Sequence, residues 1–466
     1  MKNISRREFL RLGTLTGAGV ALVACAAPSA PPAPPAAAPE ATNPPEAAPT
    51  TAPPAEGAGK QTLEMWMWES EPRWKNVEAT SGLNEKFPDV EFKWTALPFD
   101  QLHDKAIVSL AAGSPEGLPD IIRTYIGFLL KMTKTGSLAD VTETVTPHKD
   151  DILAERWEQI DYQGKIYHLP DDTGVTLWGY RWDIFEAAGL PSKPEEVEAL
   201  LKTYDDLITV AKEIEAKTGA KAFNLGANGA GGVFDAFARQ DTTGSFDKEG
   251  NVLMDDAAHA AAASAVKRIW DAEITTDLDG PVMWQAYKDK KLSMMRYPNW
   301  QDFVIVDSAP ETKGMWRVCK LPMVAAGGKR AHTDDGCCLC IPDIIAPEKK
   351  ELATKVAEYM KLTTDATVAH MKEFSGAFVT YVPGLEAMKD QPSPVLDGQF
   401  VYPIYLAAAQ DEEIYPWYRT SVYFDDAGQA ANDAMFKILT ENAPIETTLK
   451  EAADSIRKLQ EASGEK

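Results

Sequence analysis

From Gln61 onward the chain switches repeatedly between two hydrophobic periods, and this alternation limits what it can fold into. Thr62-Leu63-Glu64-Met65-Trp66-Met67-Trp68 alternates with period two, as a half-buried strand does. Phe99 to Ala112 carries a helical pattern that stops at Gly113, a natural C-cap. Leu118-Pro119-Asp120-Ile121-Ile122 predicts a short apolar strand, and Lys165 to Pro170 another, entered through the turn Gln163-Gly164. Thr203 and Asp206 stand at the two positions of a reciprocal capping box. Leu207, Val210, Ala211 and Ile214 then make an apolar stripe that Gly219 ends. Phe246 to Asn251 predicts a tight hairpin turn, and Leu352, Val356, Tyr359 and Met360 another amphipathic helix. Interleaved strands and helices without an internal repeat predict an α/β architecture with mixed central sheets.

The residues before Gln61 follow other rules. Ser5-Arg6-Arg7-Glu8-Phe9-Leu10 is a twin-arginine export pattern, and a short apolar segment, Leu12 to Ala24, follows it. That segment falls short of the roughly 20 apolar residues a bilayer span needs. Leu22-Val23-Ala24-Cys25 has the form a lipoprotein signal peptidase cleaves. The expectation is a removable signal over 1–24 and a lipidated Cys25, which would tie the protein to the outer side of the cell membrane. From Cys25 to Lys60, Pro, Ala, Thr and Glu dominate, so nothing there can build a core. Such a segment predicts a disordered, semi-rigid tether. The pattern leaves open whether that side is a periplasm or a cell surface.

The body from Gln61 is long enough for two domains. A net charge of -23 opposes nucleic-acid binding, which rests on Lys and Arg contacts to phosphate. Cys319, Cys337, Cys338 and Cys340 leave three readings open: buried free thiols, one disulfide, or a metal site whose C-C-x-C spacing is poor for zinc. No His-Glu-x-x-His, Gly-x-Ser-x-Gly or P-loop pattern occurs. The Gly-rich run Gly226 to Gly232 reads as a flexible loop at a cleft rim. His332 with Asp334 and Asp335 reads as a solvated turn before a metal site, so neither a metal nor a cofactor is expected.

The order of segments resembles the family 1 extracellular solute-binding proteins of ABC importers, the group that includes maltose-binding protein. The resemblance rests on the opening strand ending in Trp68 and on Pro119-Asp120-Ile121-Ile122 followed by Thr135-Gly136-Ser137-Leu138-Ala139-Asp140. It continues with Gly164 to Pro170 and Leu177 to Leu190, where Arg181-Trp182 replaces the usual Tyr-Asn. Tyr287 to Met295, closing on Asn299-Trp300, and Leu321-Pro322 complete it. The resemblance implies a two-lobe, periplasmic-binding-protein-like fold of class II type with hinge strands between the lobes. It implies an N-terminal lobe of 61–172 plus 320–346 and a C-terminal lobe of 173–319 plus 347–466. Crossings would fall near Asp171–Thr173, Cys319–Leu321 and Pro342–Pro347. It also implies a monomer that binds a small solute, foremost a carbohydrate such as an oligosaccharide or polyol, and delivers it to permease subunits.

A sugar presents an apolar face and a hydroxyl rim, so its site needs flat rings with carboxylates and amides around them. Trp68 and Glu69 stand where the first strand ends, which is where open α/β sheets place ligands. Tyr125 follows the Asp120-Ile121-Ile122 strand. Asp171 and Asp172 lie at the first crossing, and Asn299 with Trp300 matches the family's stacking tryptophan. Asp335 and Gly336 offer a polar loop that backbone or ligand can approach. Trp417 and Tyr418 lie in an aromatic irregular stretch. No catalytic residue is expected, because adjacent strand carboxylates such as Asp171 and Asp172 face opposite ways. A surface polysaccharide hydrolase or lyase, and a receptor for a non-sugar solute such as a peptide, remain alternatives.

Overall fold

The computed structural model describes residues 60–410, 414–418 and 420–464. The export pattern, Cys25 and the Pro/Ala-rich segment lie outside them. No described helix is long and apolar enough to cross a membrane.

Among the described residues, nine strands organise the body: β1 Gln61–Met67, β2 Val90–Ala96, β3 Ile121–Tyr125, β4 Asp161–Tyr162, β5 Lys165–Ile166, β6 Leu169–Arg181, β7 Met294–Pro298, β8 Trp316–Cys319 and β9 His332–Cys340. Seven of them form one continuous sheet in the order β2-β1-β3-β9-β6-β7, with β8 also pairing β6. The first three strands run parallel, and β9, β6, β7 and β8 add antiparallel partners, so the sheet is mixed. β4 and β5 make a separate hairpin whose turn, Gln163-Gly164, takes positive φ at both residues, the conformation a two-residue turn demands.

β6 and β9 carry the chain between two lobes. The first half of β6 pairs β9, from Leu169↔Leu339 to Thr176↔His332. Its second half pairs β7 and β8. The ladder slips between Pro170 and Asp172 and again between Gly174 and Val175. Such irregularities let a strand bend where two bodies must meet. The apolar residues form two large cores. One gathers Leu63, Met65, Ile121 and Leu339 around the first strands and continues past β6 to Tyr287, Tyr297, Ile305 and Trp316. A second gathers Trp178, Leu207, Phe237 and Val266 with Ala431, Met435 and Ile456 from the last two helices.

Two segments lie elsewhere than the expected crossings would place them. The segment after Cys319 does not return to the first lobe at once. Arg330 donates to the carbonyls of Leu321 and Leu201, and Gln240 donates to that of Pro322, which holds 320–330 on the second lobe. The return is made by β9. Pro347–Lys361 likewise stays with the first lobe, because Ala353, Val356, Ala357 and Met360 pack into the first core while Lys349 pairs with Asp120. The helices Thr364–Glu373 and Val382–Met388 also bury Met371, Leu385 and Met388 there, so the expected C-terminal lobe loses this stretch. Only Phe424–Thr440 and Ile445–Ser463 complete the second core.

Phe99–Ala112 ends at Gly113 with φ 65°, and Thr203 and Asp206 form both bonds of the capping box. Asp334 to Gly336 are strand residues of β9, not a loop before the cysteines. The four described cysteines are buried free thiols, and burial pushes the Cys338 thiol up to about 12. The Gly226–Gly232 run is not a free loop. It is a short turn and the start of the helix Ala230–Ala238, where a Cβ on Gly231 would lie 2.6 Å from the backbone nitrogen of Asn432. Gly231 therefore permits two helices of the second lobe to touch.

His168 is buried, and its Nε2 meets the Thr133 hydroxyl at 2.9 Å. Burial lowers its pKa to about 3 from the ordinary 6.5. Between those values the unfolded chain takes up a proton that the folded one refuses, so stability present above pH 6.5 is lost as pH falls toward 3. One such site contributes a slope of up to about 1.4 kcal/mol per pH unit. Denaturation midpoints measured from pH 7 to 4 should fall with pH, and His168→Gln should make that fall shallower.

Candidate functional site: an aromatic cavity over a buried charge cluster

A cavity of about 230 Å³ opens where the end of β1 and the start of β6 face the segment after β7. One wall is Trp68, Glu69 and Arg123, and the opposite wall is Asn299, Trp300, Phe303 and Val304. Asp172, Thr173 and Cys337 from β6 and β9 lie between them, and His370, Phe374 and Ala377 close a side. The alternation of β1 explains the first wall. Trp66 and Trp68 share a face, but Trp66 packs onto Leu102, Ala106 and Leu110, while Trp68 projects past the strand end. The Trp68 ring meets Phe99 edge-on at 5.2 Å, and the Arg123 guanidinium sits 4.5 Å from its centroid.

Arg123 organises the polar floor. Its Nε donates to Asp171 at 2.9 Å, its Nη2 to Asp172 at 2.6 Å, and its Nη1 to Glu69. Asp171 is fully buried and also meets the Lys361 ammonium at 2.5 Å and His370 Nδ1 at 3.5 Å. Burial works against its charge, but Lys361 and Arg123 outweigh it and hold the carboxyl well below the usual range. Glu69 goes the other way: burial raises its pKa against the pull of Arg123. Burial and the neighbouring Lys361 push His370 well below its ordinary value, so its imidazole is neutral. Asp172 accepts from Cys337 N–H at 2.8 Å through its other oxygen, which ties the cluster to β9.

Asp171, Asp172 and His370 lie close enough together to hold a metal ion. The donor set does not suit one, because the Lys361 ammonium and the Arg123 guanidinium already fill the space a cation would occupy.

The expected residues fall into three groups. Trp68, Glu69, Asp172, Asn299 and Trp300 line this cavity, and Asp171 lies beneath it. Asn299 is itself a structural tie, accepting from Val175 N–H at 2.8 Å and donating to Gly376 C=O at 3.0 Å. Trp300 Nε1 is buried without a hydrogen-bond partner. Trp417 and Tyr418 line a different cavity of about 400 Å³, with Ile126, Leu129, Glu158 and Lys248. There the Tyr418 hydroxyl donates to Glu158 at 2.7 Å, and the Arg239 guanidinium covers the Trp417 ring at 3.8 Å. Tyr125 lines neither; its ring packs against Phe99 and Phe128. Gly336 pairs Thr173 in the sheet, and a Cβ there would collide with the Arg156 guanidinium, so its role is close packing and not a loop opening onto ligand. Of Asp335 only the backbone is described, pairing Gly174.

Sequence reasoning passed over Arg123, His370, Phe374 and Lys361. The signal for Arg123 was available: a lone charge inside the apolar run Ile121-Ile122-Arg123-Thr124 must find carboxylates. His370, Phe374 and Lys361 arrive from a distant part of the chain with no local mark. Removing Arg123 leaves three carboxylates without their shared partner, and breaking a buried pair costs about 3–5 kcal/mol. Arg123→Ala should lose at least that much in chemical denaturation, and Arg123→Lys should recover only part, because a compact ammonium lacks the rigid planar fork that reaches three separate carboxylates.

The model of the family described as bacterial extracellular solute-binding protein matches residues 69–360. An arabinooligosaccharide-binding protein of Bacillus subtilis is 25% identical over 294 residues, covering 61% of this chain and 66% of that protein. A lactose-binding protein of Rhizobium radiobacter is 27% identical over 291 residues, covering 60% and 65%. The match thus spans just under two thirds of these relatives' length. Among solved structures, the GacH receptor of Streptomyces glaucescens, studied unliganded and with acarbose, superposes with a TM-score of 0.70 at 20% identity, over 86% of this chain and 98% of that one. The galacto-N-biose/lacto-N-biose I-binding protein of a Bifidobacterium longum ABC transporter gives 0.69 at 19% identity, over 88% and 99%. These neighbours share the two-lobe fold with its mixed sheet and hinge strands. The chain belongs to the bacterial extracellular solute-binding protein family.

Proposed function

We propose that this chain is the solute-binding component of an ABC importer, capturing a carbohydrate between its lobes and presenting it to the membrane permease. The observation that carries the reading is the cavity itself. Trp68, Trp300, Phe303 and Phe374 supply flat apolar faces, and Glu69 and Asp172 supply acceptors beside them. Its walls come from segments on either side of β6 and β9, so a guest that touches both favours the closed arrangement. The relatives named for arabino-oligosaccharides and lactose support a saccharide over a peptide. The binding role is preferred to hydrolysis because Glu69 and Asp172 share one guanidinium, which each would have to leave to exchange a proton during catalysis. The family and the export pattern support a place outside the cytoplasm, with a lipid on Cys25 holding a monomer to the membrane.

A thermal-shift screen with arabino-oligosaccharides, β-galactosides and malto-oligosaccharides tests this. A solute at about 100 times its dissociation constant should stabilise the protein by about 2.7 kcal/mol, without product formation. Trp300→Ala should abolish the shift for the best saccharide, while Trp300→Phe, which keeps a ring but loses the indole N–H, should retain part of it. A full response in Trp300→Ala would remove this cavity from the binding site, and turnover of the saccharide would favour the hydrolase.

A further inference from the structure

We propose that the preferred solute carries a protonated amine, so that the cavity takes a basic sugar such as a hexosamine unit ahead of its neutral parent. The inference rests on the carbohydrate reading above and names the substrate class within it.

Three carboxylates, Glu69, Asp171 and Asp172, face two cations, Arg123 and Lys361, in one buried cluster. His370 adds no charge, being neutral beside Lys361. Among the other described ionic groups near this wall, Glu155 and Arg156, behind Thr173 and Asp172, add one charge of each sign, and Arg73 with Asp307 and Glu373 lies at its outer edge. The count leaves one negative charge in surplus, whether taken over the whole cluster or over the groups that line the cavity, Glu69, Asp172 and Arg123.

The donors on that wall are already committed. Each of the three guanidinium nitrogens points at a different carboxylate, and Lys361 lies behind Asp171. An anionic solute, such as a uronate or a sugar phosphate, would thus meet surplus negative charge, and the one Lys or Arg among the described lining residues, Arg123, is already committed. The acceptors are less fully used. Asp172 takes one bond on each oxygen, and Glu69 takes the Arg123 bond and a long one, 3.4 Å, from Trp74 Nε1. A carboxylate has room for about four such bonds. On the opposite wall, Trp300 offers its ring. The complementary guest has an apolar ring face and donors that include a positive charge directed at Glu69 and Asp172. Aromatic walls lower the dielectric beside these carboxylates, which strengthens that attraction.

The test is calorimetric titration of the purified protein with matched pairs: glucosamine against glucose, galactosamine against galactose, and a fully deacetylated chito-disaccharide against cellobiose, with glucuronate as the anionic arm. The amine member of at least one pair should bind about tenfold or more tightly at low ionic strength, and glucuronate should not bind. That ratio should shrink as salt rises and as pH rises through the titration of the ligand's own amine. Glu69→Gln, which removes the surplus charge, should bring the ratio toward one whatever it does to affinity overall. The wild-type pH and salt profiles give the same reading if that variant does not fold. Neutral parents binding as tightly as their amines at every pH would overturn the inference and leave the carbohydrate reading standing. Failure of every saccharide, including those of the thermal-shift screen, would overturn both.

Discussion

One guanidinium holds together the parts of this molecule that matter for binding. Arg123 sits in β3 at the centre of the sheet, 3% exposed, where an unpaired cation would be prohibitively costly to desolvate. Its three partners come from two places: Glu69 just beyond β1, and Asp171 and Asp172 near the start of β6. Adjacent residues of a regular strand could not both turn to one arginine. The slip in the ladder between Pro170 and Asp172 removes that obstacle. The charge cluster and the bend of the crossing strand are therefore a single feature. What pins β6 at the seam also forms the polar wall of the cavity.

Aromatic rings make that electrostatic arrangement effective. Trp74 is fully buried and stacks near His370 and Phe374, at 5.3 Å from each. Its centroid lies 5.0 Å from the Lys361 ammonium, and Trp68 covers Arg123 from the cavity side. Charges enclosed by rings interact through a low dielectric, so each ion pair is stronger than at the surface and each unpaired group is more costly. The same enclosure explains why Glu69 and Asp171 shift in opposite directions though both touch Arg123. Asp171 has a second cation in Lys361, and Glu69 has none.

Much of the fold was legible because it is written in short-range pattern. The period of β1, the glycine stop after Ala112 and the capping box at Thr203 each depend on residues within a few positions of one another. Trp68, Glu69, Asp172 and Trp300 were legible for a related reason: each lies at the end or the crossing of a strand. The lobe boundaries were harder. A helix such as Pro347–Lys361 shows one apolar stripe whichever core receives it, so its sequence does not say which lobe it joins. Lys361 and His370 illustrate the limit most clearly. Each lies on an unremarkable helical run, and only the tertiary fold brings them to Asp171, 190 and 199 positions away along the chain. The glycines were misread because a packing glycine and a loop glycine look alike until a neighbour such as Asn432 is in place.

The seam between the lobes bears on how such a protein can release what it holds. Besides β6 and β9, its outer edge carries polar pairs, Arg73 with Asp307, Lys131 with Asp425, and Glu158 with Tyr418 and Lys248, while deeper in Phe303 meets Phe374 and Asn299 donates to Gly376 C=O. Exposed pairs of this kind contribute about 0–1 kcal/mol each, so they cannot keep the lobes together on their own. A weak polar rim leaves the balance to be set by whatever occupies the space between Trp68 and Trp300. The strong interactions, by contrast, lie within the first lobe and its junction with β6, where they keep one wall rigid. A firm wall, a weak rim and two bent strands between the lobes are the conditions under which a small guest can decide the conformation of a large protein.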